Sequence, residues 1–390
     1  MRLLHTADWH LGRQFDGRAL DDDHAHVLEQ VYAVIVAEQP QALIIAGDLF
    51  DRAAPSEAAV RLFNDFVQRV VRDTETAIIV IAGNHDSADR IGAMGLLASR
   101  NRALVRGPLT AIEVPLILED EFGPVAISGL PFAYEYAARE CFHDTAIAAP
   151  VDVLRAQVAA AKEHVPAGAR WVIAAHAFVS GAVVGESERS LSRAVGGIET
   201  VTVDVFEGAH YVALGHLHRE QTVAGAEHIC YSGSLLPFAF GEDDHDKGML
   251  LVDLAEHGGI AKRFIPFQLK RRARTIRGTM EAILSEGALN PSQDFLRIVL
   301  TDDARAIDPM KRIREFYPNA CLLEYEKDIA LEAHHPGVAR ATKLTDPAEV
   351  IAEFLQFTRN SPPTDAEQAL IAQALHGSAV ESREPELEIA

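Results

Sequence analysis

The sequence AIIVIAGNHD, residues 77–86, decides the fold, because an apolar run leads directly into polar side chains. Residues 78–81 are all isoleucine or valine, which is typical of a central strand buried on both faces. Gly83 permits a sharp turn after that strand. The Asn-His-Asp that follows, residues 84–86, supplies groups that can bind a metal ion, carry a proton or accept a hydrogen bond.

The same pattern, an apolar run that ends in ligand-type residues, recurs along the chain. Asp8 and His10 follow the first run at positions i and i+2, so an extended segment presents both on one face. His216 and His218 repeat this spacing. Two further runs end at Asp48 and at His176. Any one of these histidines alone is more often a structural residue, but their shared placement at strand ends predicts one site.

Helices separate the first three predicted strands. Apolar residues recur at helical spacing over residues 19–38, and a second helix is predicted after Pro55. Strands that alternate with helices indicate an α/β fold built of parallel βαβ units. Sites in such folds form at the carboxyl ends of the strands, where the ligand-type residues lie. His24 and His26 fall on the polar side of the first helix and are predicted to be solvated.

Composition limits the class of protein. The chain has 390 residues, 48% of them hydrophobic, which is enough for a large core and roughly two or three domains. No apolar run reaches the ~18 residues of a membrane span, and MRLLHTADWH at the start lacks the apolar core of a signal peptide. Three widely spaced cysteines without a CxxC motif are typical of a reducing compartment. We therefore expect a cytoplasmic protein without a membrane partner.

The formal net charge of −21 argues against a simple basic nucleic-acid binder. A protein of this charge that acts on DNA needs metals, a local basic patch or a partner. One basic run is present in residues 270–277, KRRARTIR. Its candidates for DNA contact are Lys270, Arg271, Arg272 and Arg274. A solvated face beside a linker is an equally good interpretation of this run.

Changes of pattern along the chain predict its domains. The segments are 1–265 with the site, 266–340 as a small α+β domain, 341–378 as a helical segment, and 379–390 as an acidic, disordered tail. Amphipathic helices are predicted at about 347–358 and 365–375. Two short helices cannot bury both apolar stripes on each other, so we expect a further partner or docking onto the small domain.

The strand-end residues combine carboxylates, imidazoles and an amide, which suits Mn²⁺, Fe²⁺ or Zn²⁺, and their oxygen share favours Mn²⁺. The set is Asp8, His10, Asp48, Asn84, His176, His216 and His218. Seven side chains are too many for one ion and suit two ions that share a carboxylate. A pair of ions is the usual arrangement for in-line displacement at the phosphorus atom of a phosphate ester. His85 is then available to donate a proton to the leaving oxygen or to stabilise phosphate charge. Asp51 and Asp86 are predicted to support the ligands or form turns.

The motifs D-x-H, GD-x-x-D, GNHD, a single His and GH-x-H occur in this order and resemble those of the calcineurin-like metallophosphoesterases. Two longer stretches, HTADWHLGR and YSGSLLPFAFGEDDHDKG, resemble the SbcD family of nuclease subunits. The resemblance covers residues 1–265 well. The small domain and the helix pair that follow match in position and pattern more than in residue identity. It implies a four-layer β-sandwich flanked by helices, followed by a capping domain and a carboxyl-terminal helix pair.

The resemblance also implies roles for individual residues. One Mn²⁺ would have as ligands Asp8, His10, Asp48 and His218. The other would have as ligands Asp48, Asn84, His176 and His216. Asp48 would thus bridge two ions, and His85 would be the catalytic histidine. Mg²⁺ or another divalent ion is an alternative cofactor.

The implied activity is Mn²⁺-dependent: a 3′→5′ exonuclease on double-stranded DNA and an endonuclease on single strands and hairpins, in repair, recombination and replication. The implied partner is an SbcC-type ATPase, which would bind the helical segment 341–378, so the protein would associate with the nucleoid. A homodimer is also implied, through helices at 58–72 and 87–99. Leu62, Phe63, Phe66 and Val67 would supply its apolar face, unless they only cover the sheet.

Three competing functions are compatible with parts of the sequence. Residues 47–52, GDLFDR, resemble phosphoprotein phosphatases, with Arg52 as a phosphate clamp, but those enzymes usually carry Glu in place of Asp86 and lack the small domain. A small-molecule phosphodiesterase is the second. A scaffold with a relict site is the third, and the presence of His85 argues against it.

Overall fold

A computed structural model describes residues 1–95, 102–183, 200–242 and 245–329, and a few positions between 355 and 370. The chain divides into two compact units, Met1–Glu324 and Tyr325–Ala390. The predicted helix at 347–358 lies almost entirely outside the described residues, and the acidic tail 379–390 lies entirely outside them. In the second unit, the Thr364 backbone N–H donates to the Glu367 carboxylate (2.7 Å), as at a helix start. In the described part of the chain, no helix combines the length and apolarity needed to cross a membrane.

The first large sheet contains the strand of the GNHD motif. Its strands, in spatial order, are Ile260–Pro266 (β14), Gly248–Leu254 (β13), Arg2–Thr6 (β1), Ala42–Ala46 (β4), Ala77–Ile81 (β5) and Ala103–Arg106 (β6). The pairs β1–β4, β4–β5 and β5–β6 are parallel, as the βαβ pattern predicted, whereas β13 is antiparallel to both neighbours. The carboxyl ends of β1, β4 and β5 therefore lie at one edge.

The second large sheet has a parallel centre and antiparallel edges. Its strands, in spatial order, are Gln221–Thr222 (β11), Ile229–Tyr231 (β12), Tyr211–Gly215 (β10), Arg170–His176 (β9), Gly123–Leu130 (β8) and Leu116–Asp120 (β7). The neighbours β12, β10, β9 and β8 run parallel. This register ends β9 at His176 and β10 just before His216.

Two sheets packed face to face with helices outside give four layers. An apolar core that includes Ile44 and Ile79 of one sheet and Val172 and Tyr211 of the other fills the space between them. The helices and short elements are Asp21–Glu38 (α1), Glu57–Asp73 (α2), Ala88–Gly95 (α3), Glu135–Phe142 (α4), Pro150–Lys162 (α5), 3₁₀ turns at Val203–Phe206 and Phe240–Glu242, and a hairpin of Gln14–Phe15 (β2) and Arg18–Ala19 (β3). Residues of α1 and α2 pack on the first sheet, and residues of α5 pack on the second. The predicted four-layer α/β sandwich is confirmed.

The third sheet forms the small α+β part. It consists of Ala273–Gly278 (β15), Phe295–Leu300 (β16) and Ala320–Tyr325 (β17), with helices Met280–Leu289 (α6) and Pro309–Ile313 (α7). Phe295 stacks on Phe15 of the β2–β3 hairpin at 4.8 Å between ring centroids. Arg18 donates a hydrogen bond to the carbonyl of Ala320 at 3.0 Å. These contacts fix the third sheet beside the loop that follows the D-x-H motif.

Two expectations for the helices need revision. His24 is not solvated: it is fully buried, and its Nε2 donates to the carbonyl of Trp9 at 2.8 Å, whereas His26 is exposed as predicted. Phe63 and Phe66 of α2, proposed for a dimer interface, are buried against Trp9 in edge-to-face contacts. In this chain these two rings cover the sheet, which was the alternative interpretation.

The packing of Phe66 generates a test of the fold. We expect Phe66→Ala to lower the free energy of unfolding by about 3 kcal/mol, because it leaves a cavity under Trp9. Leu289→Ala is the control, since Leu289 is 78% exposed, and its cost should stay below about 0.5 kcal/mol. Urea denaturation measures both variants. Equal stability of the two would contradict the packing described.

Candidate metal centre

The loops after β1 and β4 run side by side and carry strained ligand-type residues. The backbone N–H of Asp8 donates to Gly47 O (3.1 Å), and that of His10 donates to Asp48 O (2.9 Å). Asp8, His10 and Asp48 have φ values of 52°, 45° and 49°, in a region that residues other than glycine rarely adopt. Strain of this kind persists where surrounding contacts enforce it, and it is concentrated at functional sites.

Glycine permits the close approach of the two sheets at this edge. A Cβ atom at Gly215 would collide with the carbonyl oxygen of Ala46 in the opposite sheet. A Cβ atom at Gly47, whose φ is +89°, would collide with the ring of His176. The glycines of the GD and GH motifs therefore allow side chains from both sheets to meet.

The first cluster brings together residues from two strand ends, those of β1 and β10. The Nε2 atoms of His10 and His218 lie 3.2 Å apart. Asp8 offers a carboxylate oxygen to the same cluster, where all three ligand atoms lie within 4.8 Å of one another. The Asp8 carboxylate also accepts the backbone N–H of His216 at 2.9 Å, which fixes its orientation.

The second cluster centres on Asn84. Its Oδ1 lies 3.0 Å from His176 Nε2 and 3.1 Å from His216 Nδ1. The Nδ1 of His176 donates to Ala46 O at 2.9 Å, so in the neutral ring the Nε2 lone pair faces the oxygens of Asn84 and Asp48. A nitrogen lone pair that faces oxygen acceptors is unfavourable unless a proton or a cation lies between them.

Asp48 lies between the two clusters. Its Oδ2 is 3.6 Å from His10 Nε2 and 3.5 Å from His176 Nε2. Its Oδ1 accepts the backbone N–H of His85 at 2.8 Å. One carboxylate oxygen thus faces ligand-type nitrogens of both clusters.

The pKa values reflect the concentration of buried charge. Burial raises the pKa of Asp8 to about 7, against the effect of nearby imidazoles. Burial also opposes ionisation of Asp48, but the imidazoles of His176, His10 and His85 together outweigh it and lower the pKa of that carboxyl. Burial disfavours the His176 imidazolium, yet Asp48, Asp8 and the Ala46 carbonyl together outweigh it and raise the pKa of His176 to about 9. Buried carboxylates that demand positive charge, beside nitrogen and amide ligands, fit divalent cations.

His85 lies at the side of these clusters. Its ring centroid is 4.7 Å from that of His10. Its Nδ1 donates to the carbonyl of Asp51 at 2.9 Å, which fixes the tautomer and leaves Nε2 on the far side of the ring. The structure therefore presents an oriented imidazole beside the two clusters.

The two acidic residues expected to support the ligands have different surroundings. The Asp86 carboxylate accepts the backbone N–H groups of Leu49 (3.0 Å), Phe50 (2.9 Å) and Gly83 (3.0 Å), so it joins the loops after β4 and β5. Burial, with the charge of Asp48, raises the pKa of Asp86 to about 6. Asp51 lies 3.4 Å from Arg13 Nη1 and belongs to a third cluster of possible metal ligands with His10 and His85.

The basic run near residue 270 is largely neutralised within the chain. Lys270 pairs with Asp22 at 3.4 Å, Arg271 pairs with the buried Asp23, and Arg274 pairs with Asp294 at 2.7 Å. Arg272 is exposed. Pairing inside the protein favours the structural interpretation for three of the four residues that were candidates for DNA contact.

Sequence reasoning missed a buried ion pair behind His218. Glu242 and Lys247, only 2% and 3% exposed, pair with each other, and Lys247 Nζ donates to the His218 carbonyl at 2.7 Å. The Glu242 carboxylate lies 3.8 Å from His218 Nδ1. Phe238 of the same loop packs against the rings of His10 and His218. The signal was present in the charged letters of FGEDDHDKG between two apolar strands, but their pairing requires the folded loop.

Two stacked sheets whose strand ends carry these clusters define a metal-dependent phosphodiesterase. The sequence matches the calcineurin-like phosphoesterase family over residues 1–220. It also matches the SbcD carboxyl-terminal family, described as the type 5 capsule protein repressor C-terminal domain, over residues 270–359.

Curated relatives narrow the assignment. The SbcD subunit of the SbcCD nuclease from Staphylococcus saprophyticus is 30% identical over 340 residues, which are 87% of this chain and 88% of that protein. The SbcD subunit from Staphylococcus epidermidis is 29% identical over 83% of this chain and 85% of that protein. The chain therefore belongs to the calcineurin-like phosphoesterase family and, within it, to the SbcD nuclease subunits.

A solved structure, GAP50, the anchor in the inner membrane complex of Plasmodium, aligns with 79% of this chain and 99% of its own at 12% identity and a TM-score of 0.42. A likeness at this level supports no conclusion about function.

The Glu242–Lys247 pair generates a prediction about the centre. Lys247→Met should lower the free energy of unfolding by about 3 kcal/mol, because it leaves the Glu242 charge buried and unpaired. It should also weaken Mn²⁺ binding, because the His218 backbone loses its donor. The double variant Glu242→Gln/Lys247→Met should recover most of the stability.

Lys270→Met is the matched control, since this lysine forms an ion pair at the surface. Its loss should lower the free energy of unfolding by less than about 1 kcal/mol. Urea denaturation and Mn²⁺ titration of all four proteins supply the comparison. A Lys247→Met protein as stable as the control would remove the role assigned to the buried pair.

Proposed function

We propose that this protein is the nuclease subunit of an SbcCD-type complex, which hydrolyses phosphodiester bonds of DNA with two divalent cations, preferably Mn²⁺. The observation that carries the proposal is the position of Asp48 between two clusters of ligand-type residues. The names of the curated relatives support the substrate class, because both are nuclease subunits.

We assign the first cation site to Asp8, His10, Asp48 and His218. The second consists of Asp48, Asn84, His176 and His216. When bound, such ions supply charge neutralisation on the phosphate oxygens and a more acidic water. The protein holds the ligands through the sheet edges, the turns at Gly47 and Gly215, and the orienting hydrogen bonds to His176 and Asp8. Mg²⁺ or another divalent ion is the alternative cofactor.

We assign proton donation to the leaving oxygen, or stabilisation of the phosphate charge, to His85. Its tautomer is set by the Asp51 carbonyl, and its backbone is joined to Asp48, so the ring keeps a fixed position relative to both clusters. Asp86 acts through the loops that it joins and not as a ligand. This arrangement separates binding of the cations from proton transfer.

The finer assignments follow what the sequence resemblance implies and are part of the proposal. The protein would act as a 3′→5′ exonuclease on duplex DNA and an endonuclease on single strands and hairpins, as a homodimer in the cytoplasm at the nucleoid. An SbcC-type ATPase would be its partner, and it would supply the duplex-binding surface that a chain of net charge −21 lacks. The segment 341–378 is the proposed docking element.

A variant of His85 tests the proposed role directly. His85→Ala should retain Mn²⁺ content but lose cleavage of a labelled hairpin by at least about 100-fold, because general acid–base groups contribute at this level. Metal analysis and a single-turnover assay with Mn²⁺ measure both properties. His143→Ala is the control, since His143 directly follows α4 and lies in none of the clusters found among the described residues.

Unchanged cleavage with normal metal content would contradict the role of His85. Wild-type protein that hydrolyses a phosphopeptide or a cyclic nucleotide, but no DNA, would favour one of the competing enzymes. Full metal content without turnover of any of these substrates would favour the scaffold.

A further inference from the structure

A series of aromatic rings leads from the second cluster to the surface. The ring of Phe132 lies 6.5 Å from that of His176, nearly perpendicular to it. Tyr134 follows at 5.0 Å from Phe132, and Tyr136 follows at 5.8 Å from Tyr134. The two tyrosine rings are almost parallel, with an angle of 12° between their planes. The series therefore begins at a residue of the candidate metal centre and ends in a pair of aligned tyrosines.

The backbone that carries these rings is fixed by several hydrogen bonds. The Phe132 N–H donates to Ala82 O at 2.9 Å, beside the segment that carries Asn84. Gln157 of α5 donates to Pro131 O at 3.0 Å. Tyr134 precedes α4, and its carbonyl accepts the first backbone bonds of that helix. Rings on such a support keep a defined position relative to the metal centre.

The tyrosine pair is exposed. Tyr134 is 40% and Tyr136 is 60% accessible, although burial of an aromatic ring is strongly favourable. Aromatic residues that remain exposed beside a polar site are typical of a binding surface. Rigid rings with few rotatable bonds also lose little entropy when a flat ligand stacks on them.

We propose that Tyr134 and Tyr136 form a stacking platform for unpaired bases of the nucleic-acid strand that is cut. The inference rests on the proposed nuclease function and adds a binding subsite to it. Every base has a π-face, so stacking on tyrosine suits single strands of any sequence. Stacking also needs no positive charge, which suits a chain of net charge −21 whose basic run is mostly paired internally.

The position of the platform defines which part of the strand it contacts. Phe132 separates the tyrosines from His176, so the platform lies beside the candidate metal centre and not within it. A base one or a few nucleotides from the scissile phosphate would occupy it. Duplex DNA, whose bases are already stacked, would gain nothing from the platform until its end is opened.

The first experiment compares substrates with and without bases. It measures kcat/KM of the full-length protein with Mn²⁺ on a single-stranded oligonucleotide and on bis(4-nitrophenyl) phosphate. Tyr136→Ala should lower the ratio of the first value to the second about tenfold, through KM, because one stacked base contributes at this level. Tyr136→Phe should keep the wild-type ratio, since the ring suffices. Phe122→Ala is the matched control: Phe122 is 46% exposed, but it lies before the opposite end of β8.

A cycle with abasic oligonucleotides identifies the occupant. Removal of the bases next to the cleavage position should lower kcat/KM of the wild-type protein about tenfold. The same removal should lower kcat/KM of Tyr136→Ala only slightly, because this variant has already lost the platform. Equal losses for both proteins would overturn the platform. A Tyr136→Ala protein with the wild-type ratio of kcat/KM values would overturn it too. If light scattering also showed that this variant had lost self-association, the tyrosine surface would instead be a contact with a second copy of the chain.

A binding measurement separates failure of this inference from failure of the proposed function. An oligonucleotide that contains 2-aminopurine is titrated with protein in Ca²⁺, so the result does not depend on cleavage. Quenching by wild-type protein and Tyr136→Phe, but not by Tyr136→Ala, supports the platform even if no DNA is cut. Equal quenching by all three proteins overturns it, even if the wild-type protein is an active nuclease.

Discussion

The close contact between the carboxyl ends of the parallel strands of the two large sheets is the constraint on which the rest of the structure depends. His176 of the second sheet donates a hydrogen bond to Ala46 of the first, and the backbone of His216 donates to the Asp8 carboxylate. The first of these contacts requires glycine at both turns, because a Cβ atom at Gly47 or Gly215 would occupy the same space. The apolar core between the sheets holds them at this distance, so hydrophobic packing positions the polar centre.

The same contact concentrates charge that the apolar interior does not stabilise. Asp8 and Asp48 are at most 2% exposed and lie among imidazoles whose pKa values shift in opposite directions, upwards for His176 and downwards for His216. Left-handed backbone at the ligand-type residues adds strain. Divalent cations would offset the carboxylate charge, so stability and phosphodiester chemistry depend on the same atoms. The buried pair of Glu242 and Lys247 extends this polar region behind His218.

The local sequence pattern predicted the buried strands and the ligand-type residues at their ends. Buried parallel strands such as β5 are continuous apolar runs, and the residues at their ends share an edge whatever the distant contacts are. Interactions between distant segments were not predictable in this way. His24 looked solvated because its helix position is polar, and only the loop at Trp9 buries it. The strands β12 and β13 follow one another in the chain but belong to different sheets. The tyrosine platform likewise appears only when Phe132, which precedes α4, is placed beside His176 at the end of β9.

The central claim is that Asp48 serves two cation sites, and Mn²⁺ stoichiometry with electron paramagnetic resonance tests it most directly. Wild-type protein should bind about two Mn²⁺ per chain and give a signal from coupled ions, as expected for ions ~3.5–4 Å apart. Asp48→Ala should bind at most one and lose the coupling, whereas Asp253→Ala, a surface control that pairs with Arg2, should match wild type. Two coupled ions in Asp48→Ala would contradict the account.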